Sequence, residues 1–209
     1  EFTQIDIEMS FPTENAVMTM AEKLLENIFK EFSFEATFPV PKISYKEAME
    51  KYGTDKPDLR FALELKTLND LVKDCNFGVF RSALENGESI RGIAVPPGYP
   101  ISRKEHSNLE EIVKPFGAKG VIIISRADGK PVGSLVKHLG EDLANSILNF
   151  LDVKDGGSAL IVAAPYSIAC ASLSALRLYF GKALKLCESS KNSLLWVHRF
   201  PAFEWSMEE

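Results

Sequence analysis

Gln4, Asp6 and Glu8 stand two apart in the stretch EFTQIDIEMSF, with Ser10 continuing the row and Phe2, Ile5, Ile7, Met9 and Phe11 supplying the apolar surface. A strand has a side-chain period of two, so from Gln4 onward this pattern predicts amide and carboxylates on one face and hydrocarbon on the other. Two chemistries are open to the polar row. It is the solvated face of an amphipathic antiparallel strand, or it is a pocket floor able to hold a cation by charge-assisted hydrogen bonds. The absence of Lys, Thr and Arg from the row is unusual for a solvated strand face and favours the second.

A second concentration of polar groups is YGTDKPDLRF, residues 52–61, with Asp55, Lys56 and Arg60 as its candidate functional side chains. These residues either cap nearby backbone groups or are presented to a ligand, as loops held between glycine- and proline-marked turns often do. Elsewhere the direct search for chemistry is negative. There is no Walker loop, G-x-S-x-G, H-E-x-x-H or C-x-x-C. His106, His138 and His198 are scattered without an Asp or Cys at ligand spacing and read as surface or loop residues. Asp128-Gly129-Lys130 reads as a turn, and no metal site is expected.

The elements that must position these residues can be outlined from the pattern. After the first strand, Thr13 is placed to cap a helix carrying Val17, Met20, Ala21, Leu24, Leu25, Ile28 and Phe32 on one face. Pro39 and Pro41 make the next stretch a connector. Ser44 and Glu47 have capping-box spacing for a short helix that Gly53 ends. GVFRSALENGESIRGIAV predicts two strands joined across Asn86-Gly87. Ser102 and Glu105 open a further helix to about Lys114, VIIIS and ALIVAA are buried strands, and helices cover GEDLANSILNFL and about Ser167 to Leu186. The expected class is α+β, with the helices of the middle region on one face of a mainly antiparallel or mixed sheet.

The 209 residues are 45% hydrophobic and 25% charged with net charge -5, an ordinary globular composition that argues against a dedicated nucleic-acid-binding domain while leaving local basic patches open. Cys75, Cys170 and Cys187 read as reduced thiols. No apolar run reaches membrane-spanning length and no leader pattern opens the chain, so a cytoplasmic protein is expected, with no membrane partner and no DNA partner.

Both polar stretches resemble the bacterial-type aspartyl-tRNA synthetases. EFTQIDIEMSF is similar to the returning strand of the class II motif 2 hairpin, and SYKEAMEKYGTDKPDLRF to the aspartate enzymes' signature between motifs 2 and 3. RGIAVP, SRKE, GAKG and ALRLYFGKALKL resemble the GAD domain, an insertion shared with an amidotransferase subunit acting on charged tRNA. LLWVHRFPAFEW is similar to the strand that re-enters the catalytic domain, although Arg199 stands where the family usually has Asp.

The resemblance implies part of a class II antiparallel-sheet catalytic domain with an inserted two-layer α/β GAD domain. The implied divisions are residues 1–71 for the end of motif 2 and the signature, 72–188 for the insertion and 189–209 for the return. It implies that the chain is a segment of a longer homodimeric ligase, using ATP and Mg2+ to form aspartyl-adenylate and to charge tRNA-Asp, with tRNA-Asn left open. By resemblance Gln4 and Asp6 face the aminoacyl pocket, with Glu8 further out. Asp55, Lys56 and Arg60 would touch the tRNA acceptor end or brace the pocket. Arg91, Arg103, Lys104 and Lys119 would offer the insertion's weak tRNA contacts or serve only as solubilising charge. Motif 1, the phosphate-clamping arginine of motif 2 and motif 3 are not found, so no complete catalytic set and no bound cofactor is expected in this segment alone. The competing reading is a non-catalytic GAD-containing module that touches tRNA.

Overall fold

A computed structural model of the protein describes residues 1–187 and 192–203. The elements in order are α1 (Glu14–Glu31), β1 (Lys42–Ser44), α2 (Tyr45–Tyr52), β2 (Lys66–Thr67), α3 (Asn69–Val72), α4 (Gly78–Glu85), β3 (Ser89–Val95), α5 (Arg103–Val113) with a 3-10 turn at Lys114–Phe116, β4 (Ile122–Ala127), β5 (Lys130–Val132), α6 (Val136–Leu139), α7 (Glu141–Phe150), β6 (Ser158–Ala164), α8 (Tyr166–Ala183) and β7 (Trp196–His198). Hydroxyl caps start three helices as the sequence predicts. Thr13 accepts from the Ala16 amide at 3.2 Å, Ser44 from Glu47 at 3.1 Å and Ser102 from Glu105 at 3.2 Å.

Five strands form one sheet in the order β2-β3-β6-β4-β5, every neighbouring pair antiparallel. β3 and β4 both pair with β6 between them, so the β3–α5–β4 connection crosses over a strand added later in the chain. The Asp128-Gly129 turn joins β4 to β5 with φ of 50° and 73°, the conformation a two-residue hairpin turn requires. β2 and the start of α3 lie before residue 72 yet already belong to this unit: the Leu68 amide donates to the Ile90 carbonyl, and Asn69 bonds Glu88 and Ile90.

The class is α+β, but the helices do not lie on one face of the five-stranded sheet: they cover both. On one side Ile93, Val95, Leu160 and Val162 meet Leu109 and Val113 of α5 and Leu173, Leu176 and Phe180 of α8. On the other, Ile90, Ile124, Ala159 and Ile161 meet Val72, Phe80, Ala83, Ala144, Ile147 and Leu148 from α3, α4 and α7. Both faces of the central strands are apolar, and each needs its own helical cover.

The hairpin predicted across Asn86-Gly87 is also corrected. Residues 78–85 are helical, with Phe80 and Ala83 buried at a spacing of three. Gly87 donates to the Leu84 carbonyl at 3.0 Å and Glu88 to the Ala83 carbonyl at 2.8 Å, so Asn-Gly serves here as a helix C-cap in the Schellman pattern. The left-handed φ that would suit a hairpin equally suits the residue after a helix.

The opening strand does not form. Glu1–Met9 has no regular structure and every residue of 1–11 is exposed. A strand exists only where another strand takes its N–H and C=O groups, and none does so here among the described residues. Elsewhere β1 and β7 pair in parallel, setting Lys42 beside Trp196 and Ser44 beside His198. The residues expected after Phe203 in the return strand lie outside those described. Among the described residues, no helix is long and apolar enough to cross a membrane.

Candidate functional site

The second polar stretch is the better defined. α2 ends at Gly53 with φ 70°, and its Cα presses on the Cys170 carbonyl of α8 so closely that an added Cβ would collide with that backbone. The chain then runs through the loop 54–61 and turns back, with the Leu65 amide donating to the Lys51 carbonyl at 2.7 Å. The loop thus leaves and returns to the end of one short helix.

Inside it, Arg60 and Asp58 make a two-pronged pair. Nε donates to Oδ1 at 3.0 Å, a terminal nitrogen donates to Oδ2 at 2.7 Å, and the Arg60 amide donates to Oδ1 at 3.0 Å. The Arg60 guanidinium holds the Asp58 carboxyl below its ordinary value, against the opposing effect of partial burial. Beneath the loop lies Arg177 of α8, only 1% exposed. One of its terminal nitrogens donates to the carbonyls of Asp58 at 2.6 Å and Phe61 at 2.7 Å. Its guanidinium carbon lies 4.2 Å from the centre of the Phe61 ring and 4.9 Å from that of Tyr52. Burial pulls this guanidinium below its ordinary value, opposed by the nearby Tyr52, Asp58 and Glu64, and it remains a cation at neutral pH.

A second buried arginine anchors α2. Arg91 of β3 donates to the Glu50 carboxylate at 2.9 Å, and Tyr166 donates to the other oxygen of that carboxylate at 3.0 Å. At 1% exposure Arg91 cannot meet a tRNA from the surface, which removes it from the contacts expected of the insertion. Arg103, Lys104 and Lys119 are exposed. Beyond the loop, Phe61, Leu63, Glu64, Lys66, Val95 and Lys154 help line an open cleft of about 510 Å³.

Of the sequence-predicted residues, Arg60 is engaged within the loop, Asp55 is half-buried and Lys56 exposed. No side-chain hydrogen bond occupies Asp55 or Lys56 among the described residues. Gln4, Asp6 and Glu8 are exposed, and no hydrogen bond or ion pair among the described residues links them to the loop. Two groups that organise this region, Asp58 and Arg177, were missed, and Arg91 was given a surface role instead of its buried one. Arg177 did carry a signal, as the single charged residue between Tyr166 and Gly181. Among the described residues, no group of three or more His, Cys, Asp or Glu could hold a metal ion.

Comparison with known proteins gives the family. A family model described as "tRNA synthetases class II (D, K and N)" matches residues 1–208. The chain is 41% identical to the aspartate–tRNA ligase of Clostridium novyi (strain NT), a match covering 100% of this chain and 36% of that protein. It is 43% identical to the aspartate–tRNA(Asp/Asn) ligase of Hydrogenobaculum sp. (strain Y04AAS1), covering 100% of this chain and 35% of the relative. The chain therefore spans about a third of the length of these relatives. A hypothetical protein from Pyrococcus horikoshii OT3 overlaps 48% of this chain and 58% of its own at 21% identity, with a TM-score of 0.36, too low to bear on the fold. With the family match running over nearly every residue, this chain belongs to the class II tRNA synthetases of the D, K and N type.

Proposed function

We propose that this chain is part of an aspartate–tRNA ligase, which activates aspartate with ATP to aspartyl-adenylate and transfers it to tRNA. The observation that carries the reading is identity of about 40% over the whole chain to proteins named as such ligases. In this reading Gln4 and Asp6 belong to the aspartate pocket, where a carboxylate suits the ammonium group of the substrate, and Glu8 lies at its margin. Asp55 and Lys56 are presented toward the pocket or the tRNA acceptor end, and Arg60 holds the loop that carries them. The divisions 1–71, 72–188 and 189–209 go with this reading. The parallel pairing of β1 with β7 supports an insertion between them, since it makes the chain leave and return at one place, although β2 and Asn69, ahead of residue 72, already pack with the sheet that follows. The junction at 188 lies outside the described residues.

ATP and Mg2+ are proposed for the whole ligase. The described residues hold no cluster of three metal donors, so no step through the ion is assigned to them. A cytoplasmic homodimer charging tRNA-Asp is the assembly proposed. Relatives with both acceptor ranges in their names occur, so charging of tRNA-Asn is measured beside it.

The test uses the full-length protein. Aspartate-dependent ATP–pyrophosphate exchange is expected, and its absence overturns the reading. Asp6→Ala is expected to raise the aspartate KM more than tenfold, from a charged hydrogen bond worth about 1.5–3 kcal/mol. An unchanged KM removes Asp6 from the pocket.

A further inference from the structure

We propose that Arg177 is a positioning residue for the loop 54–61, so that α8 sets the conformation of the signature segment rather than merely lying beside it. This rests on the proposed ligase function for its kinetic consequences and on geometry for the rest.

Cys170, Ser174, Arg177 and Gly181 recur at spacings of four, three and four, which places them along one face of α8. That face is a seat for the signature segment. At its start the Cys170 carbonyl receives Gly53, and Cys170 Sγ lies 3.7 Å from the Met49 carbonyl oxygen. At its far end Gly181 leaves room for Phe61: a Cβ there would stand 2.5 Å from Phe61 Cζ. Between them Arg177 holds the carbonyls of Asp58 and Phe61 three residues apart, while Tyr52 and Phe61 cover its guanidinium. One helix face thus contacts the loop at entry, middle and exit.

The chemistry of Arg177 separates positioning from simple adhesion. Its donors go to backbone carbonyls, and its Nε is buried without a partner among the described residues. A buried cation satisfied in this incomplete way is a poor means of adding stability, and an apolar side chain of similar volume would fill the space more cheaply. What the guanidinium supplies and an apolar chain cannot is a fixed separation between two loop carbonyls. That turn holds Asp58 in register for Arg60, and the pair leaves Asp55 half-buried and Lys56 exposed, neither tied by a side-chain hydrogen bond among the described residues. Arg177 itself is sealed under the loop, so it acts on any ligand only through the loop.

The test uses the full-length protein in three forms: Arg177→Met, Arg177→Lys and Gly181→Ala. The alanine variant keeps the charge of Arg177 and displaces Phe61, so the two ends of the seat are probed by different chemistry. Amide hydrogen exchange is expected to quicken at least tenfold within 54–61 in all three, with β3 and β6 as slow as in the wild type. kcat/KM for aspartyl-tRNA formation is expected to fall at least tenfold in Arg177→Met, and Lys is not expected to restore it, because a single ammonium lacks the planar fork. Unchanged exchange in the loop overturns the proposal. So does a loop that opens while charging kinetics stay at wild-type values, since the seat would then position nothing. A wild-type protein that forms no aspartyl-tRNA sinks the ligase reading instead, and the exchange measurements then decide the seating by themselves.

Discussion

Arg60 shows how a residue chosen for its chemistry can turn out to serve its neighbours. Its guanidinium is committed to Asp58, which accepts from the Arg60 side chain and backbone together. The pH dependence follows from the carboxylate. Arg60 depresses the Asp58 pKa in the folded protein, so the pair contributes stability above the unfolded carboxylate value of roughly 4 and loses it as pH falls through the lower folded value. Asp58→Asn keeps an oxygen for the Arg60 amide and removes the charge. Chemical denaturation should therefore find the variant less stable than the wild type near neutrality, with the difference shrinking as pH falls below about 4. A gap that persists unchanged in acid would mean that the charge of Asp58 is not what orders the loop. The same commitment explains why Asp55 and Lys56, whose side chains are not engaged, are the better candidates in this loop for meeting a ligand.

At the level of elements, the glycines distinguish conformation from contact. Gly53 and Gly87 have nearly the same left-handed φ, 70° and 69°, and both end helices. Gly87 faces open space, whereas Gly53 lies against the Cys170 carbonyl. Gly87→Ala should cost only the left-handed penalty of about 1 kcal/mol. Gly53→Ala should cost that plus displacement of α2 from α8, more than about 3 kcal/mol in all. Denaturant titration of the two variants measures the difference, and equal losses would argue against a tight α2–α8 contact. The helix at Ser44–Gly53 was legible because its signals are local: a hydroxyl, a glutamate three residues on, and a closing glycine. The hairpin at Asn86-Gly87 was misread because the same dipeptide closes a helix, and the choice was made by burial of Phe80 and Ala83 against β3 and β6, which no short window contains. The seat on α8 was hidden for a related reason. Cys170 and Gly53 are distant in sequence, and small residues on a helix look alike whether they face a strand, a loop or water.

The whole molecule divides by how its apolar surface is covered. The five-stranded sheet has helices on both faces and supplies nearly all of the buried residues, whereas α1 buries only Met18. α1 is held by a hydrogen bond from Trp196 to Glu22 at 2.7 Å, which ties it to the β1–β7 pair. Ahead of it, Phe2 is 85% exposed and Ile5 69%, an alternating apolar row with nothing to cover it among the described residues. Opening free energies follow buried contact, so local unfolding should be ranked the same way. In the 209-residue chain, amides of β3, β4 and β6 should exchange slowest, those of α1 orders of magnitude faster, and those of residues 1–11 near the unprotected rate. In the full-length ligase the reading of Gln4 and Asp6 as pocket residues requires 1–11 to be a paired strand, with its apolar side chains packed and its amides bonded to neighbouring strands. Exchange in 1–11 should then slow by at least a hundredfold between the short chain and the full-length protein, while β3 and β6 change little. Equal exchange of 1–11 in both would leave that segment unpaired in the enzyme itself, and an aspartate pocket cannot be built on a strand that never forms.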